Sequence, residues 1–507
     1  MKRKKELIVI LSSLLVILLS VSVAYFTTKI LGEGKEISVE SADLKVIFTS
    51  GSGTINGTNI EPGWSSGENT FTVKNESNGT YKYNIIIKDL VNTFVTEGFL
   101  QYKITSTDGG YTMADFVDVP KSGTAYNAVI AQEISIAKNT THTYKVEFKY
   151  SNSNTVDQSD DMGKILNGKI FIQKYETTLA SKLLEDNPTI STRNDFSTSF
   201  TTNIANTLYK AVENGTEVYY FAGQDTESTP INNWVKFGEL YWRIIRTNSD
   251  GSIRMLYSGT SPNTVTGYIG QVKFNNTSSN SPKYVGYMYG DDDTTLDGIR
   301  ANTNDSTIKK YIDNWYENNL TTYTNYLSKD AIYCNDRELA SGSSYSTSST
   351  YNFYFKSYER LSTNKTPTYD CANNKDAFSV NNSEAKLKYP IALMTADEIV
   401  YAGGVQDTNS PMWYYTNSDG SSIAHNAGSE DDYNWFLMSP YGYISPGAYR
   451  VKTYAIKGKK LSYDNLFAFA ASVPVTRPVT SLKSCVLWKS GNGSAISPYE
   501  IIENGGC

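Results

Sequence analysis

The sequence predicts a mainly β protein with a mixed α+β C-terminal domain, and three observations favour this class. Tyrosine and glycine are abundant, with 39 and 36 residues, whereas charged residues make up only 19% of the chain. This composition is typical of loop-rich extracellular proteins, because tyrosine can pack and hydrogen-bond at the same time. Apolar and polar residues also alternate along many short segments that turn residues separate. At 507 residues, the chain is long enough for two or three domains.

Residues 1–35 are predicted to be a signal peptide or a membrane anchor. A basic cluster, Lys2–Lys5, precedes the apolar stretch Leu7–Phe26, which as a helix would span ~30 Å, the thickness of a bilayer core. Positive charge before this stretch predicts that the rest of the chain is exported. Cleavage after the small residues Ser22–Ala24 would give a secreted protein. The length of the apolar stretch favours the alternative, an uncleaved single-pass anchor in the cell membrane with an extracellular C-terminal part.

Residues 36–175 are predicted to form an antiparallel β-sandwich. Six segments of this region mostly alternate apolar and polar side chains, and no helical pattern interrupts them. The predicted strands are Leu44–Phe48, Thr70–Lys74, Lys82–Lys88, Leu100–Thr105, Thr143–Tyr150 and Gly168–Gln173.

Residues 176–215 are predicted to be a helix followed by a linker. The helix covers Glu176–Asp186 and places Leu179 and Leu183 on one face, and Pro188 follows where a helix does not easily continue. The remaining run is rich in threonine, serine and asparagine, and it is interpreted as an interdomain linker.

Residues 216–507 are predicted to be an α+β domain with long loops. The domain opens with three strands joined by tight turns within Trp234–Tyr257. Both faces of the middle strand carry large side chains, so we expect this sheet to be buried on both sides. Trp242 and Arg243 are therefore interpreted as architecture, and the later strand that contains Arg477–Pro478 is a candidate partner for these strands.

Two capped helices are predicted within this domain. Ser306 would cap a helix over Thr307–Leu320. Thr395 and Glu398 have the spacing of a capping box at the start of another helix. The capping box accounts for a glutamate at position 398, and the helix dipole favours a negative charge at Asp397 in the first turn. Neither carboxylate is therefore assigned to catalysis.

All four cysteines lie in the C-terminal part of the chain, and an even number in an exported protein predicts disulfides. We expect a Cys334–Cys371 bond, which would stabilise a long polar loop by ~3–4 kcal/mol. A Cys485–Cys507 bond would then join the last strands to the C-terminal tail.

The sequence shows no catalytic constellation and no metal-ligand pattern. The only histidines are His142 and His425, which excludes a three-histidine zinc site and argues against a Ser–His–Asp triad. His142 is expected to be structural or exposed. Calcium could suit the acidic turns Asp157–Asp161 and Asp291–Asp293, but these lack EF-hand spacing and are interpreted as solvated loops, so no cofactor is expected. The net charge of −6 and the absence of a basic run beyond the N-terminus argue against nucleic-acid binding.

The segment Ile60–Trp64, followed by the strand Thr70–Asn75, resembles a signature of camelysin/TasA-like exported proteins of Gram-positive bacteria. The leader ending at Ala24–Thr27 is also similar to theirs. The resemblance covers about the first 175 residues and implies an exported β-rich region. Some members of that group are described as metallopeptidases, but no zinc-ligand helix occurs in this sequence and His142 stands alone.

Several segments of the C-terminal part occur together in a recognisable order, namely Phe237–Gly238, Tyr241–Arg246, Ser306–Lys309, Trp315–Tyr316, Trp435–Pro440 and Thr476–Leu482. Over about residues 215–500 they resemble an uncharacterised extracellular domain of Firmicutes surface proteins. The aromatic opening strand and the Arg-Pro ending are also similar to C-type-lectin-like and formylglycine-generating-enzyme-like folds. The latter enzymes use reactive cysteines, whereas all four cysteines here are explained more simply as structural.

Three functions are compatible with these features. The leading hypothesis is a non-enzymatic bacterial cell-surface protein, in which the sandwich is a stalk and the C-terminal domain binds a carbohydrate or a surface protein. Trp413, Tyr414 and Tyr415 are the candidate ligand-binding residues, because flat rings stack on sugar faces. One alternative is an extracellular fibre or biofilm matrix subunit. The other is an extracellular enzyme, either formylglycine-generating-enzyme-like or carboxylate-based.

Overall fold

The computed structural model describes residues 36–38, 44–50, 54–57, 60–67, 69–76, 80–278, 280–425, 434–444, 450–465, 473–503 and 507. The chain forms two compact units, Met1–Glu176 and Thr177–Cys507. Strands account for 38% and helices for 13%, and most strand pairs are antiparallel, which confirms the mainly β class. No helix in these ranges is long and apolar enough to cross a membrane, and the predicted leader lies outside them.

Antiparallel strands build the N-terminal unit. They are β1 (Glu36–Ser38), β2 (Leu44–Ser50), β3 (Thr54–Gly57), β4 (Trp64–Ser65), β5 (Asn69–Asn75), β6 (Tyr81–Asn92), β7 (Leu100–Ser106), β8 (Val117–Asp118), β9 (Ser122–Ile136), β10 (Thr141–Tyr150) and β11 (Leu166–Lys174). Within the described ranges, one sheet has the order β1-β2-β5-β10-β7-β8, with β4 beside β10, and the other has the order β3-β11-β6-β9. All six predicted strands are confirmed.

The two sheets of the N-terminal unit share one apolar core. Along β10, Tyr144, Val146 and Phe148 are at most 2% exposed, and the residues between them face outward to a greater extent. The same alternation places residues of β5, β6, β7 and β11 in a single buried cluster with them. A period of two thus gives each sheet one buried face, which is the arrangement of a β-sandwich.

The C-terminal unit contains more and shorter strands. They are β12 (Thr189–Thr192), β13 (Thr207–Glu213), β14 (Thr216–Tyr220), β15 (Trp234–Phe237), β16 (Leu240–Thr247), β17 (Ile253–Tyr257), β18 (Met288–Tyr289), β19 (Asn304–Asp305), β20 (Tyr333–Cys334), β21 (Phe353–Tyr354), β22 (Ala377–Phe378), β23 (Ile391–Leu393), β24 (Trp435–Tyr443), β25 (Val451–Lys457), β26 (Lys460–Asn465), β27 (Pro478–Leu482), β28 (Trp488–Ser490) and β29 (Tyr499–Ile501). Its α-helices are α1 (Leu179–Asp186), α2 (Leu296–Ile299), α3 (Thr307–Asn319), α4 (Lys356–Tyr358) and α5 (Ala396–Tyr401).

The predicted opening strands lie at the centre of the largest sheet of this unit. Gly238 and Glu239 both have positive φ, 62° and 58°, which gives the tight turn that joins β15 to β16. Every residue of β17 is buried, as are the last six of β16, so the sheet is covered on both faces as predicted. β17 pairs with β27, which confirms the strand after Arg477 as its partner.

The predicted linker over residues 176–215 is wrong in its second half. Helix α1 is present and buries Leu179 and Leu183. The segment after it, however, contains β12 and β13, which belong to the same sheet as the opening strands. The threonine-rich composition suits these strands because threonine favours β structure and β12 lies at the sheet edge, where polar side chains face solvent.

Buried arginines hold the interior of the C-terminal unit together. The Arg243 guanidinium lies 4.4 Å from the Trp234 ring and 5.2 Å from the Trp413 ring, and it donates to Asp225 at 2.9 Å. Arg477 lies over Trp435 at 4.0 Å and donates to the backbone carbonyls of Tyr257, at the end of β17, and of Gly267. Arg243 is fully buried, so its predicted architectural role is confirmed.

Candidate functional site

A group of five tyrosines forms a continuous aromatic surface on the C-terminal unit, and we call it the tyrosine face. Its members come from α4 and from the sheet with the order β21-β24-β25-β26. They are Tyr354, Tyr358, Tyr441, Tyr454 and Tyr463.

The rings of the tyrosine face contact one another in two stacked pairs. Tyr354 and Tyr358 have ring centroids 4.1 Å apart, and the same distance separates Tyr441 from Tyr463. Tyr358 meets Tyr441 nearly perpendicularly at 5.1 Å, which joins the pairs. Both geometries are favourable for aromatic rings, so the contacts fix the relative positions of the side chains.

Strand pairing explains why these tyrosines meet. Tyr454 on β25 lies directly opposite Tyr463 on β26, so the two share a face of the sheet. The register between β24 and β25 shifts between Pro440 and Gly442, and Tyr441 lies at this irregularity. A bulge of this kind re-aims a side chain, and here the Tyr441 ring contacts those of Tyr454 and Tyr463.

The tyrosine face has a buried base and a partly exposed outer layer. Tyr441 and Tyr454 are 6% and 0% exposed, whereas Tyr354, Tyr358 and Tyr463 are partly exposed. Burial raises the pKa of the Tyr354 phenol, and the neighbouring phenols of Tyr358 and Tyr463 raise it further. The Tyr354 hydroxyl therefore remains neutral at physiological pH and can donate as well as accept hydrogen bonds.

A polar rim, Ser362, Gln406, Asp407 and Ser462, borders this surface. Gln406 Oε1 accepts hydrogen bonds from Ser362 and, at 3.2 Å, from the Tyr454 hydroxyl. Ser462 donates to Asp407 Oδ1 at 2.9 Å, and Gln406 Nε2 donates to Asp407 Oδ2 at 3.2 Å. Asp407 is itself exposed, so an oriented carboxylate lies at the solvent boundary beside Gln406.

Aromatic rings beside oriented polar groups have the chemistry to contact an amphipathic ligand. The rings offer apolar contact, and the rim offers acceptors for hydroxyl groups. The rim residues are two serines, a glutamine and an aspartate, and no group of three or more metal-ligating side chains converges among the described residues.

The prediction that Trp413, Tyr414 and Tyr415 form an exposed binding platform is wrong. Their exposed fractions are 0%, 0% and 1%, because the three rings pack into the main core. Trp413 Nε1 donates to the Phe221 carbonyl, and the Tyr414 hydroxyl donates to the Ile399 carbonyl at 3.0 Å. These residues stabilise the fold and present no ring face to solvent.

Both predicted disulfides are confirmed. Cys334 is bonded to Cys371, and Cys485 is bonded to Cys507. The pairing leaves none of the four cysteines as a free thiol.

The carboxylates near the start of α5 are structural. Thr395 and Glu398 form the predicted capping box, and Glu398 Oε1 also accepts from Arg246 at 3.1 Å and from Arg254 at 2.7 Å. Burial alone would raise the pKa of Glu398, but the two guanidiniums outweigh it and lower the pKa. The Asp397 carboxylate is also engaged in the fold, because it accepts two hydrogen bonds from the Arg360 guanidinium.

A small polar cavity lies beside this cluster and is lined in part by Arg254, Asp336, Arg360 and Asp397. It has room for about one water molecule, so it cannot admit a sugar ring or a peptide. The cavity therefore offers no site for a carboxylate-based hydrolase.

The acidic turns proposed for calcium point their carboxylates at protein donors. Asp161 accepts from the Val95 amide at 2.6 Å and from the Tyr150 hydroxyl at 2.8 Å. Asp292 accepts from the Thr294 amide and hydroxyl. In the part of the chain that the structure describes, no group of three or more metal-ligating side chains converges.

His142 is buried in the sandwich, at 6% exposed, which agrees with its predicted structural role. Its Nδ1 lies 2.8 Å from the Tyr83 hydroxyl, which in turn lies 2.6 Å from the Tyr144 hydroxyl. The histidine is thus part of an internal hydrogen-bond chain.

No protein-family model matches this chain, and no curated protein matches it significantly.

The sequence offered only an indirect signal for the tyrosine face. Its members are spread over residues 354–463, in strands and a short helix, so no local pattern joins them. The high tyrosine content shows that many rings are available, but the pairing of β24, β25 and β26 determines which of them meet.

Proposed function

We propose that this chain is a non-enzymatic bacterial cell-surface protein whose C-terminal unit binds carbohydrate at the tyrosine face. The N-terminal sandwich would serve as a stalk that carries this unit away from the membrane. The resemblances to exported Gram-positive proteins and to an extracellular Firmicutes domain enter here as supporting hypotheses. The two disulfides fit the same oxidising extracellular setting.

The observation that carries the proposal is the combination of partly exposed, stacked tyrosines with an oriented polar rim. Sugar rings have apolar faces and hydroxyl edges, so they need flat aromatic surfaces and hydrogen-bond acceptors side by side. Tyr354 and Tyr463 supply the first, and Gln406 and Asp407 supply the second. Because the rings are fixed by their neighbours, binding would cost little side-chain entropy.

A glycan array probed with the full extracellular chain tests this proposal. We expect selective binding to a subset of glycans, and we expect Tyr354→Ala and Tyr463→Ala each to weaken it about 3- to 10-fold, since one aromatic contact contributes ~0.5–1.5 kcal/mol. Tyr463→Phe should retain binding because it keeps the ring.

Tyr219→Ala is the matched control, because Tyr219 is also partly exposed but lies on β14, in a different sheet. The proposed site would be wrong if Tyr354→Ala and Tyr463→Ala both bound glycan normally while Tyr219→Ala weakened binding. An array without any bound glycan would redirect the search to protein ligands.

A second candidate function, a fibre subunit, is favoured by strand β9 of the sandwich. This strand is at the edge of its sheet within the described ranges, and over Ser122–Ile136 it carries a single charged side chain, Glu133. Long edge strands with little charge can pair with another chain. Electron microscopy of the purified extracellular chain separates the two functions, because a fibre subunit forms filaments and a monomeric glycan receptor does not.

A further inference from the structure

Helix α3 contains a buried lysine held between two carboxylates. Lys309 is 2% exposed, and it is the one lysine among the described residues that is fully buried. Its Nζ lies 2.7 Å from Asp313 Oδ2 and 3.0 Å from Asp305 Oδ1. The side chain of Asp313 is 8% exposed, whereas that of Asp305 is 31% exposed and reaches the surface.

This arrangement is costly if all three groups are ionised. The same helix buries Ile308, Ile312 and Tyr316 in the core. One ammonium and two carboxylates leave an excess negative charge beside this core, which the charge of Lys388 offsets in part. Burial raises the pKa of Asp313, although Lys309 opposes the shift. The protonated form of the Asp313 carboxyl is thus favoured relative to an exposed aspartate.

A third buried group accompanies this cluster. Tyr287 is 0% exposed, and its hydroxyl has no hydrogen-bond partner. Its pKa is raised first by burial and then by the charges of Asp313 and Asp305, so the phenol stays neutral. The Tyr287 carbonyl accepts from the Ser306 amide at 3.1 Å, which places this residue beside the start of the helix.

We propose that Lys309 and Asp313 form an intramolecular isopeptide bond. The Lys309 ammonium first transfers a proton to the Asp305 carboxylate. The neutral Nζ then attacks Cγ of the protonated Asp313 carboxyl, which gives a tetrahedral intermediate. A second proton passes from Nζ to the departing hydroxyl, so that water leaves and an amide forms. Asp305 releases the first proton to solvent, and no oxidant or reductant is required.

The helix provides the geometry for this reaction. Residues four apart lie on the same face of an α-helix, so Lys309 and Asp313 meet without distorting the backbone. The 2.7 Å contact between Lys309 Nζ and Asp313 Oδ2 holds the two reacting groups together, so a small rotation of either side chain brings the nitrogen onto the carboxyl carbon. The product replaces a buried ion pair with a neutral amide, which removes the cost of burying two charges.

The chain contains a matched control in helix α1. Lys182 and Asp186 have the same four-residue spacing and the same 2.7 Å distance, but their side chains are 17% and 22% exposed. Lys182 also lacks a second carboxylate as close as 3.0 Å, because Glu185 lies at 3.6 Å. This pair should remain an ordinary salt bridge.

Peptide mapping of the purified full chain by mass spectrometry, after reduction and trypsin digestion, tests the proposal. We expect the peptides that contain Lys309 and Asp313 to be linked and lighter by one water, with no cleavage after Lys309. Peptides with Lys182 and Asp186 should have their unlinked masses. Asp305→Asn should abolish or strongly reduce the link while keeping a polar group at that position, and Lys309→Arg should abolish it.

Cleavage after Lys309 and unlinked masses in the parent chain would overturn the proposal. A link from Lys309 to Asp305 would overturn the assignment of Asp313 as the acceptor. Linkage of Lys182 to Asp186 as well would show that proximity alone suffices, which contradicts the roles given to burial and to Asp305.

Discussion

The N-terminal and C-terminal units are both rich in antiparallel strands, but their interiors are built from different side chains. In the described part of the sandwich, the buried polar residues are few, and His142 and Asp161 are the ionisable ones. The described C-terminal unit buries several arginines together with their acidic partners, among them Arg243, Arg246 and Arg337. The first interior is held by apolar contact, and the second depends on ion pairs and hydrogen bonds as well.

The difference follows from how much of each unit is loop. In the sandwich, neighbouring strands pair one another's backbone N–H and C=O groups. Its core is therefore filled mainly by apolar side chains. In the C-terminal unit, long loops leave carbonyls without a strand partner. Arg337 donates to Asp376 and to the carbonyls of Met288, Ile299 and Lys375, which ties separate segments to one point. A guanidinium with five donors can replace a missing strand in this way.

Glu398→Ala is expected to give the largest difference in unfolding free energy between the two units. The substitution leaves Arg246 and Arg254 without a shared buried partner and removes the capping box of α5. We expect the C-terminal unit to lose about 3–5 kcal/mol of unfolding free energy. Hydrogen exchange measured by mass spectrometry should show faster exchange in β16, β17 and α5.

The sandwich provides the internal control for Glu398→Ala. Its peptides from β7 and β10 should exchange at the parental rate, because their core contains none of these ion pairs. Equal destabilisation of both units would contradict the view that the two interiors are independent.

The same comparison explains which parts of the fold the sequence could predict. Strands such as Thr143–Tyr150 alternate apolar and polar residues, so each fixes its own buried face without knowledge of its partners. Caps at Ser306 and Thr395 are equally local, since the donor and acceptor lie three residues apart. These elements were therefore predictable within a few residues.

Long-range contacts between loops were not predictable in this way. Trp413 packs against Arg243, which precedes it by many residues, and no periodic pattern links the two. A tryptophan in a polar loop was therefore interpreted as exposed, although a buried guanidinium covers it. The tyrosine face was missed for the same reason, because Tyr441 reaches it only through an irregular register between β24 and β25.

His142 allows a second, smaller test, now of the sandwich. Burial lowers its pKa from 6.5, although Asp108 opposes the shift. Tyr83 hydrogen-bonds Nδ1, a contact that suits the neutral ring. A folded-state pKa below the unfolded value means that the unfolded chain binds the proton first. The stabilising contribution is thus complete above about pH 6.5 and is lost as the pH falls through the folded pKa.

Urea unfolding of the sandwich between pH 7.5 and 5, followed by hydrogen exchange of β10 peptides, measures this loss. His142→Gln removes the titrating group and should flatten the pH dependence in that window, whatever its effect on absolute stability. Parental stability that stayed constant from about pH 7 to 5 would contradict a buried, neutral histidine.

Asp336→Asn is expected to change the unfolding free energy least of the variants considered. The direction of the change distinguishes a buried carboxyl with a raised pKa from an ionised carboxylate that pairs with a guanidinium. Burial raises the pKa of Asp336 even though Arg360 opposes the shift. Asp336 Oδ2 lies 2.8 Å from Arg360 Nη1 but makes no aligned hydrogen bond. Arg360 keeps its bidentate contact with Asp397 in the variant, so no buried cation is left alone. Asparagine also tolerates the positive φ of 40° at this position.

The linkage relation gives the direction of the Asp336 effect. A carboxyl whose folded pKa is raised contributes stability at low pH and loses it as the pH rises through the folded pKa. We therefore expect Asp336→Asn to change the unfolding free energy by less than about 1 kcal/mol at neutral pH. The variant should gain relative to the parent as the pH rises from the ordinary aspartate pKa of about 3.9 through the raised pKa of Asp336. Asp397→Asn, which disrupts the bidentate contact, is the contrasting variant and should be clearly destabilising in the same urea titration. A large loss on Asp336→Asn would mean that Asp336, like Glu398, is an ionised partner on which the guanidinium network depends.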